Sequence, residues 1–344
     1  MKLRINLNSP IFISGHPRSG TNFVMRLLDS SNNLICPPGE GKVNILRRHM
    51  HKNKYLIDDI ELNISNREKN LIFKNLKPNI NNLPEFVNEI YKCFFIYKYK
   101  EIFSDKYNFY WLEKNHNLEF YFHRSRKLFK NHRFIFISRN IISNWNSWKA
   151  YIALNSLESS INNLCFYIIC HILNEIDELK SGLKNFNNEN EILRNYFISK
   201  TKFDSFYKNI KTTDKLFKYD YSYFFKDEFL KMISTSESRF AVNYFLMHQK
   251  AKYLNKTFSK EFMIVNYNNL VENTEEEVNK ICTFTSINYS EKNLVTTDGL
   301  KNWNGNSSFN NINKNLVKDN ISTNEIQNIN TTINYLENEC LNVK

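Results

Sequence analysis

The chain has 344 residues, of which 42% are hydrophobic, 15% aromatic and 24% charged, so a folded globular protein is expected and a disordered chain is excluded. Its formal net charge of +12 favours anionic partners, but the basic residues are spread along the chain and form no nucleic-acid-binding arm. The six cysteines form no CxxC pair or zinc-ligand spacing, and no segment resembles a membrane span. These features predict a cytoplasmic protein without a metal site.

Buried strands are predicted by short apolar runs that are each closed by a polar or turn residue. The runs are residues 11–14, 107–112, 134–138 and 262–266. Helical patterns lie between them, at residues 21–30, 125–130 and 141–148 and after Asn273, where acidic residues occupy the first turn. Strands that alternate with helices favour a parallel sheet covered by helices on both faces.

Residues 151–260 interrupt this alternation, because they are aromatic and helical in pattern and contain no convincing strand. They predict a helical insertion. No Pro- or Gly-rich linker separates them, so residues 1–344 are expected to form a single domain. Residues 302–330 are polar and rich in asparagine, which predicts a flexible loop.

Residues 14–28 read SGHPRSGTNFVMRLL, in which a glycine, four residues and a second glycine precede an amphipathic helix. Such a turn presents backbone N–H groups and the positive end of the helix dipole to an anion. The lysine that a nucleoside triphosphatase places after the second glycine is absent, and Arg18 can supply a positive charge instead. We therefore expect a single phosphate to bind here without a metal ion.

This loop resembles the 5′-phosphosulfate loop of sulfotransferases that use 3′-phosphoadenosine 5′-phosphosulfate (PAPS). The resemblance implies an α/β fold of three layers, like that of P-loop NTPases, with a central parallel sheet flanked by helices. It also implies a set of cofactor-binding residues in the loop. They are Arg18, Ser19, Gly20, Thr21 and Asn22.

The strand RFIFIS at residues 133–138 is followed by Arg139, and Ser147 lies further along the next helix. This pattern is similar to the site for the 3′-phosphate in the same family, and an arginine fork matches the geometry of a phosphate. The resemblance implies that Arg139 and Ser147 bind the 3′-phosphate. Asn140 stands where the family commonly has aspartate.

Further positions match the family in the expected order. Lys114 stands at the end of a strand, where it is implied to bind the bridging oxygen and the departing sulfuryl oxygens. Tyr267 matches a nucleotide-contacting position of tyrosylprotein-type members. The run WNGNSSF resembles a loop of one bacterial branch that closes over the cofactor, which implies that Trp303 and Ser307 contact it.

The general base has two candidates. Glu40 resembles the base of the tyrosylprotein-type branch, and the run of residues 17–40 follows that branch. His116, in Lys114-Asn115-His116, instead resembles the histidine in the K-T-H motif of cytosolic small-molecule enzymes. We favour Glu40, with His116 as the alternative.

The predicted function is transfer of the sulfuryl group of PAPS to a hydroxyl or, as a second option, an amine. The product would be 3′-phosphoadenosine 5′-phosphate (PAP), and neither metal nor nucleic acid is expected to take part. A small molecule, a glycan, a lipid or a peptide all remain open as the acceptor. The alternatives are a P-loop kinase or NTPase-like phosphotransferase and a non-enzymatic basic protein that binds polyanions.

Overall fold

A computed structural model describes most of the chain. The described residues are 4–46, 55–56, 60–74, 76, 79–80, 82–99, 108–152, 227–233, 235–298, 301–302 and 321–341. The chain divides into two compact units, the first formed by residues 1–139 and 251–316 and the second by residues 140–250 and 317–344. The single-domain organisation of residues 1–344 stays a prediction.

The strands are numbered in chain order. They are β1 Arg4–Gly15, β2 Leu34–Ile35, β3 Tyr55–Leu56, β4 Asn79–Ile80, β5 Asn108–Lys114, β6 Arg133–Ser138, β7 Phe262–Asn266, β8 Thr297–Asp298 and β9 Lys301–Asn302. Five of them form the central sheet in the order β2-β5-β1-β6-β7, and every neighbouring pair is parallel. The pairs β3–β4 and β8–β9 form two small antiparallel sheets.

The α-helices of the described segments are likewise numbered in chain order. They are α1 Thr21–Asp29, α2 Asn66–Phe73, α3 Leu83–Tyr99, α4 Phe122–Leu128, α5 Ile141–Ile152, α6 Asp227–Met232, α7 Ser236–Thr257, α8 Tyr267–Glu272, α9 Thr274–Thr285 and α10 Thr323–Leu341. None of these helices has the length and apolar content of a membrane-spanning helix. The helices α6 and α7 confirm the helical pattern predicted for the described end of residues 151–260.

Both faces of the central sheet are covered, which confirms the predicted three-layer α/β fold with a central parallel sheet. On one face, strand residues such as Ile13 and Ile135 join a buried cluster with Leu27 of α1 and Val278 of α9. On the opposite face, Tyr91 of α3 packs on Trp111 of β5, with 5.0 Å between ring centres. Alternate residues of a strand point to opposite faces, so one run of apolar residues serves both layers.

The register places the carboxyl ends of three strands side by side. Ile13 of β1 pairs with Lys114 of β5 on one side and with Ile135 of β6 on the other. Gly15, the last residue of β1, pairs with Ile137 near the end of β6. In parallel α/β sheets, ligands bind beyond this edge of the sheet. The sites predicted after β1, β5 and β6 therefore share one edge.

Two predicted strands have different limits in the structure. The strand predicted at residues 107–112 runs to Lys114, so it includes Glu113 and Lys114, which are both buried. The strand predicted at residues 11–14 begins at Arg4, because β1 continues to pair with β5 beyond an irregularity between Ile5 and Pro10. A search for apolar runs cannot detect strand residues that are polar or charged, whether they are buried, as Glu113 is, or partly exposed, as Asn6 is.

The loop predicted at residues 302–330 is wrong for residues 323–330, which belong to α10. A reciprocal hydrogen-bonded cap starts this helix: Ser322 N donates to Glu325 Oε2 (2.8 Å) and Glu325 N donates to Ser322 Oγ (3.2 Å). Within the second unit Ile329 is buried against Trp145 and Phe240. Burial of this one face stabilises a helix that its polar composition conceals.

Candidate active site

The turn between β1 and α1 has the backbone of an anion-binding loop. Ser19 N donates to His16 O (3.0 Å), which closes the turn. Arg18 and Gly20 both have positive φ, 68° and 104°, and Gly20 is the N-cap of α1. Glycine has no side chain with which to cap a helix, so the first-turn N–H groups of α1 receive no side-chain cap. Such groups, together with the helix dipole, bind anions.

The side chains of the loop include polar atoms that the described residues leave unsatisfied. Ser19 is fully buried, and its Oγ has no hydrogen-bond partner in the described part of the chain. Asn22 Oδ1 likewise has no hydrogen-bond partner among the described residues. Thr21, beside it, is buried. A buried hydroxyl without a partner costs about 1–3 kcal/mol. An anion with several oxygens would remove that cost for Ser19, so Ser19 fits a bound phosphate, whereas the amide oxygen of Asn22 cannot donate to one.

The arginine after β6 reaches this loop. Arg139 donates through a terminal guanidinium nitrogen to Arg18 O (3.0 Å), and its guanidinium carbon lies 4.8 Å from the ring centre of Tyr267. Burial lowers the pKa of Arg139, and the nearby charge of Arg18 lowers it further. The structure thus brings together two predicted phosphate ligands from separate strands.

Tyr267 joins the same cluster from α8. A Cβ atom placed on Gly20 would lie 2.3 Å from Cδ2 of Tyr267, so only glycine allows this close approach. The ring also contacts Phe23 edge to face, with 6.2 Å between ring centres. Asn266 caps α8 by accepting hydrogen bonds from the backbone N–H groups of Asn268 (2.9 Å) and Asn269 (3.2 Å). The end of β7 therefore holds Tyr267 against the loop.

Lys114 is a buried cation at the end of β5. The residue is 4% exposed, and its ammonium makes no hydrogen bond or ion pair with any residue that the structure describes. Burial lowers the pKa of Lys114 to about 7, although the carboxylate of Glu40 raises it. The positive charges of Lys42, Arg26 and Arg18 lower this pKa further. An anionic ligand would relieve both the burial and the repulsion between cations.

The two candidate bases lie near Lys114 and differ in environment. Glu40 is exposed and close enough to act electrostatically on Lys114. His116 is partly exposed, and its Nδ1 lies 3.2 Å from the carbonyl oxygen of Gly15. A carbonyl only accepts hydrogen bonds, so this contact assigns the proton of the neutral ring to Nδ1. Burial, followed by the charges of Lys114 and Lys42, lowers the pKa of His116 well below its usual value.

The structure does not test the roles of three predicted ligands. Ser147 lies on α5 in the second unit, where Asn140 caps the helix by accepting from the N–H groups of Ile142 (3.0 Å) and Ser143 (3.1 Å). Trp303 and Ser307 lie outside the described residues. Their roles stay predictions. Among the described residues, no group of three or more His, Cys, Asp or Glu side chains could hold a metal ion.

Some residues around Lys114 were given no role from the sequence. The charges of Lys42 and Arg26 lower the pKa of Lys114. Glu113 precedes Lys114 in β5, and Asn115 follows it in the next turn. Glu113 and Asn115 are both buried polar residues. Their position next to a predicted functional lysine at the end of a strand is the sequence signal that could have identified Glu113 and Asn115.

Comparison with known proteins shows similarity to sulfotransferases. The sulfotransferase domain of the curacin biosynthetic pathway has 14% identity and a TM-score of 0.43, and the match covers 95% of this chain and 98% of that chain. The sulfotransferase domain of the Synechococcus PCC 7002 olefin synthase has 15% identity and a TM-score of 0.40, covering 95% and 94%. A sulfotransferase from Alicyclobacillus acidocaldarius has 10% identity and a TM-score of 0.43, covering 95% and 92%.

No curated protein sequence matches the chain. A family comparison does give a match, to the sulfotransferase family, over residues 10–166. This range includes the loop after β1, Glu40, Lys114, His116 and Arg139. Residues 10–166 of this chain thus match the sulfotransferase family, which confirms the sequence-based resemblance.

Proposed function

We propose that this protein transfers the sulfuryl group of PAPS to a hydroxyl, or alternatively an amine, of an acceptor. The observation that carries the proposal is the buried ammonium of Lys114, which has no partner in the described part of the chain and lies near the carboxyl end of β1. A fold rarely retains a buried cation without a partner, because the desolvation cost is not repaid. A bound sulfuryl or phosphoryl group would supply the missing negative charge.

The proposed binding mode divides the nucleotide between two strand ends. Ser19, Thr21 and Asn22, with the first-turn N–H groups of α1, bind the 5′-phosphosulfate. Arg18 adds a positive charge to that end. Arg139 binds the 3′-phosphate together with Ser147. Tyr267, packed on Gly20, borders the nucleotide, and Trp303 and Ser307 close over it.

Transfer requires a cation at the departing oxygen and an acceptor for one proton. The acceptor hydroxyl forms a bond to sulfur while the bond from sulfur to the 5′-phosphate oxygen breaks, and PAP leaves with the electron pair. Lys114 stabilises the negative charge that develops on that oxygen. The hydroxyl proton passes to a carboxylate or imidazole. Neither Lys114 nor the proposed base requires a metal ion for these roles.

Glu40 is the proposed base, because its carboxylate is exposed to an incoming acceptor and lies near Lys114. His116 is the second candidate, and a specific observation favours it. With the proton on Nδ1 facing Gly15 O, the lone pair of the neutral ring is on Nε2. The lowered pKa of His116 keeps the ring neutral at physiological pH, so it is able to accept a proton.

Titration with PAP tests the nucleotide half of the proposal. We expect saturable binding of PAP without added magnesium, and weaker binding of adenosine 5′-phosphate, which lacks the 3′-phosphate that Arg139 would contact. Dependence of turnover on ATP and magnesium would favour a phosphotransferase. Steeply salt-dependent binding of DNA or RNA without preference for PAP would favour a polyanion-binding protein.

Incubation with ³⁵S-labelled PAPS and cell extract tests the reaction and identifies the acceptor. Small molecules, glycans, lipids and peptides are all candidates, and we propose the cytoplasm as the compartment. With that acceptor, Glu40→Gln should reduce turnover by about 10²- to 10⁴-fold, and His116→Asn by less. The reverse order would assign the base to His116.

A further inference from the structure

We propose that Glu113 and Asn115, the two neighbours of Lys114 in the sequence, are positioning residues that hold residues 37–45 at the end of β5 so that the carboxylate of Glu40 stays beside Lys114. The catalytic consequence rests on the proposed function. The structural claim concerns only the described residues of the first unit.

The segment of residues 37–45 leaves β2 and is attached at both ends. At its start, Arg26 of α1 donates to the carbonyl oxygen of Pro37 (3.1 Å). At its end, Ile45 N lies 3.1 Å and 3.0 Å from the two carboxylate oxygens of Glu113. Asn115 Nδ2 donates to Asn44 Oδ1 (2.5 Å). Glu40 lies between these attachments.

The two ends are attached to opposite faces of the sheet. Glu113 and Lys114 are consecutive in β5, so their side chains point to opposite faces. The charge of Arg26, on α1, lowers the pKa of Lys114. On the other face, burial and then the charge of Glu113 raise the pKa of Tyr91, on α3. Because one end is bound through Arg26 and the other through Glu113, residues 37–45 pass from one face of the sheet to the other. Glu40 lies between these two attachments, and its charge acts on Lys114.

The outer side of the segment is also restrained. Lys42 and Glu61 exchange backbone hydrogen bonds of 2.6 Å and 3.1 Å, and their side chains form an ion pair of 3.2 Å. Asn44 adopts a left-handed backbone with φ of 58°, which asparagine tolerates better than most residues. Asn115 donates its hydrogen bond to the side chain of this same Asn44. That bond therefore restrains the segment where its backbone turns toward β5.

The pKa of Lys114 depends on where Glu40 lies, because several cations oppose the effect of this carboxylate. Glu40 raises the pKa of Lys114, while Lys42, Arg26 and Arg18 lower it. His116 is a further neighbour, because the charge of Lys114 lowers its pKa. If the segment moves away, Lys114 loses Glu40, whose charge has the larger effect on its pKa, and Lys42, whose opposing effect is smaller. It keeps Arg26 of α1 and Arg18 of the loop after β1, so its pKa should fall.

The test measures the titration of Lys114 directly, without PAPS. Trace acetic anhydride is allowed to compete for lysines across a pH series, and mass spectrometry reports the labelling of Lys114. The wild-type midpoint is expected at about 7. Asn44→Gly removes the hydrogen-bond acceptor and keeps the left-handed backbone, so the midpoint should fall by about 1 pH unit. Asn44→Asp retains the acceptor oxygen and should not lower it.

A second background separates positioning from a general structural effect. In Glu40→Gln the carboxylate is already absent, so adding Asn44→Gly should produce no further fall in the midpoint. An equal fall in both backgrounds would overturn the proposal. Glu113→Leu, which cannot accept from Ile45 N, should lower the midpoint as Asn44→Gly does. Glu113→Gln retains an acceptor and should not lower it. If both Asn44→Gly and a folded Glu113→Leu leave the midpoint unchanged, the proposal is also wrong.

This readout keeps the two proposals distinguishable. Labelling of Lys114 needs no nucleotide, so a protein that fails to bind PAP would contradict the proposed function and leave the positioning result intact. Conversely, PAP binding with an unchanged Lys114 midpoint in both Asn44→Gly and a folded Glu113→Leu would contradict the positioning role alone. In an active preparation, Asn44→Gly should lower kcat more than it raises KM, because Glu40 is proposed to act in the transition state.

Discussion

Two buried lysines of the first unit show how differently the same side chain can be used. Lys98 of α3 and Lys114 of β5 are each 4% exposed. The ammonium of Lys98 lies 3.3 Å from Asp29 Oδ1, and it donates to the carbonyl oxygens of Leu34 (3.0 Å) and Ser31 (3.4 Å). Lys114 has no such partner among the described residues. Burial acts to lower the pKa of both lysines, but Asp29 and other neighbours raise that of Lys98 above its usual value, whereas that of Lys114 falls to about 7.

The difference separates a cation that supports the fold from one that awaits a ligand. Lys98 joins the end of α1 to β2, because its partners Asp29, Ser31 and Leu34 lie along that connection. Lys114 lies at the edge of the sheet where ligands bind in parallel α/β folds. A buried titratable group with a strongly shifted pKa, placed at such an edge, is a marker of a functional site. Substitutions of these two lysines should therefore have opposite consequences.

The largest expected effect is on sulfuryl transfer. Lys114→Met should reduce transfer from labelled PAPS by about 10²- to 10³-fold, because the charge that develops on the departing oxygen loses its cation. Transfer is measured with the extract fraction that the wild-type protein labels. Lys98→Met, assayed at a temperature where circular dichroism shows it folded, is the matched control and should retain most activity. Equal losses of transfer activity in both variants would contradict the proposed difference between Lys114 and Lys98.

The next effect is on stability and has the reverse order. Lys98→Met leaves the buried carboxylate of Asp29 without its closest cation and should lower the free energy of unfolding by about 3 kcal/mol. Lys114→Met removes a buried cation without an ion-pair partner and should leave stability unchanged or increase it. Urea denaturation measures both. A destabilised Lys114→Met would mean that Lys114 supports the fold after all.

A smaller effect is expected on the pH dependence of PAP binding. The lowered pKa of Lys114 means that its ammonium loses a proton as the pH rises through about 7. Binding of an anion requires the protonated form, so affinity for PAP should fall up to about tenfold per pH unit between pH 7 and 9. Calorimetry at several pH values measures this slope. It should disappear in Lys114→Met and persist in Lys98→Met, and a pH-independent wild type would contradict the role of Lys114.

Much of the fold followed from local pattern. The strand at residues 262–266 has the predicted limits, and α1 ends within one residue of the prediction, because apolar runs and glycine turns are local signals. The loop at residues 16–20 was also recognisable from its glycines. The extension of β5 to Lys114 was missed, because its last residues are charged. The helix at residues 323–330 was missed because its asparagines conceal a narrow buried face.

The candidate site was predictable as a set of residues and not as an arrangement. Motif order placed Arg18, Lys114 and Arg139 after three strands, and the register of β1 with its two neighbours brings those strand ends to one edge. The hydrogen bond from Arg139 to Arg18 O could not be foreseen, and neither could the attachment of residues 37–45 to Glu113 and Asn115. These contacts join residues far apart in the chain.

The amino-acid sequence by itself determined the alternation of strands and helices, the glycine turn before α1 and the residues able to bind an anion. Only the tertiary structure decided that Lys98 is neutralised by Asp29 while Lys114 remains a buried cation close to Glu40 and His116. Secondary structure follows from the short-range pattern of side chains. The charge state and reactivity of a lysine depend instead on burial and on charges that distant segments bring near it.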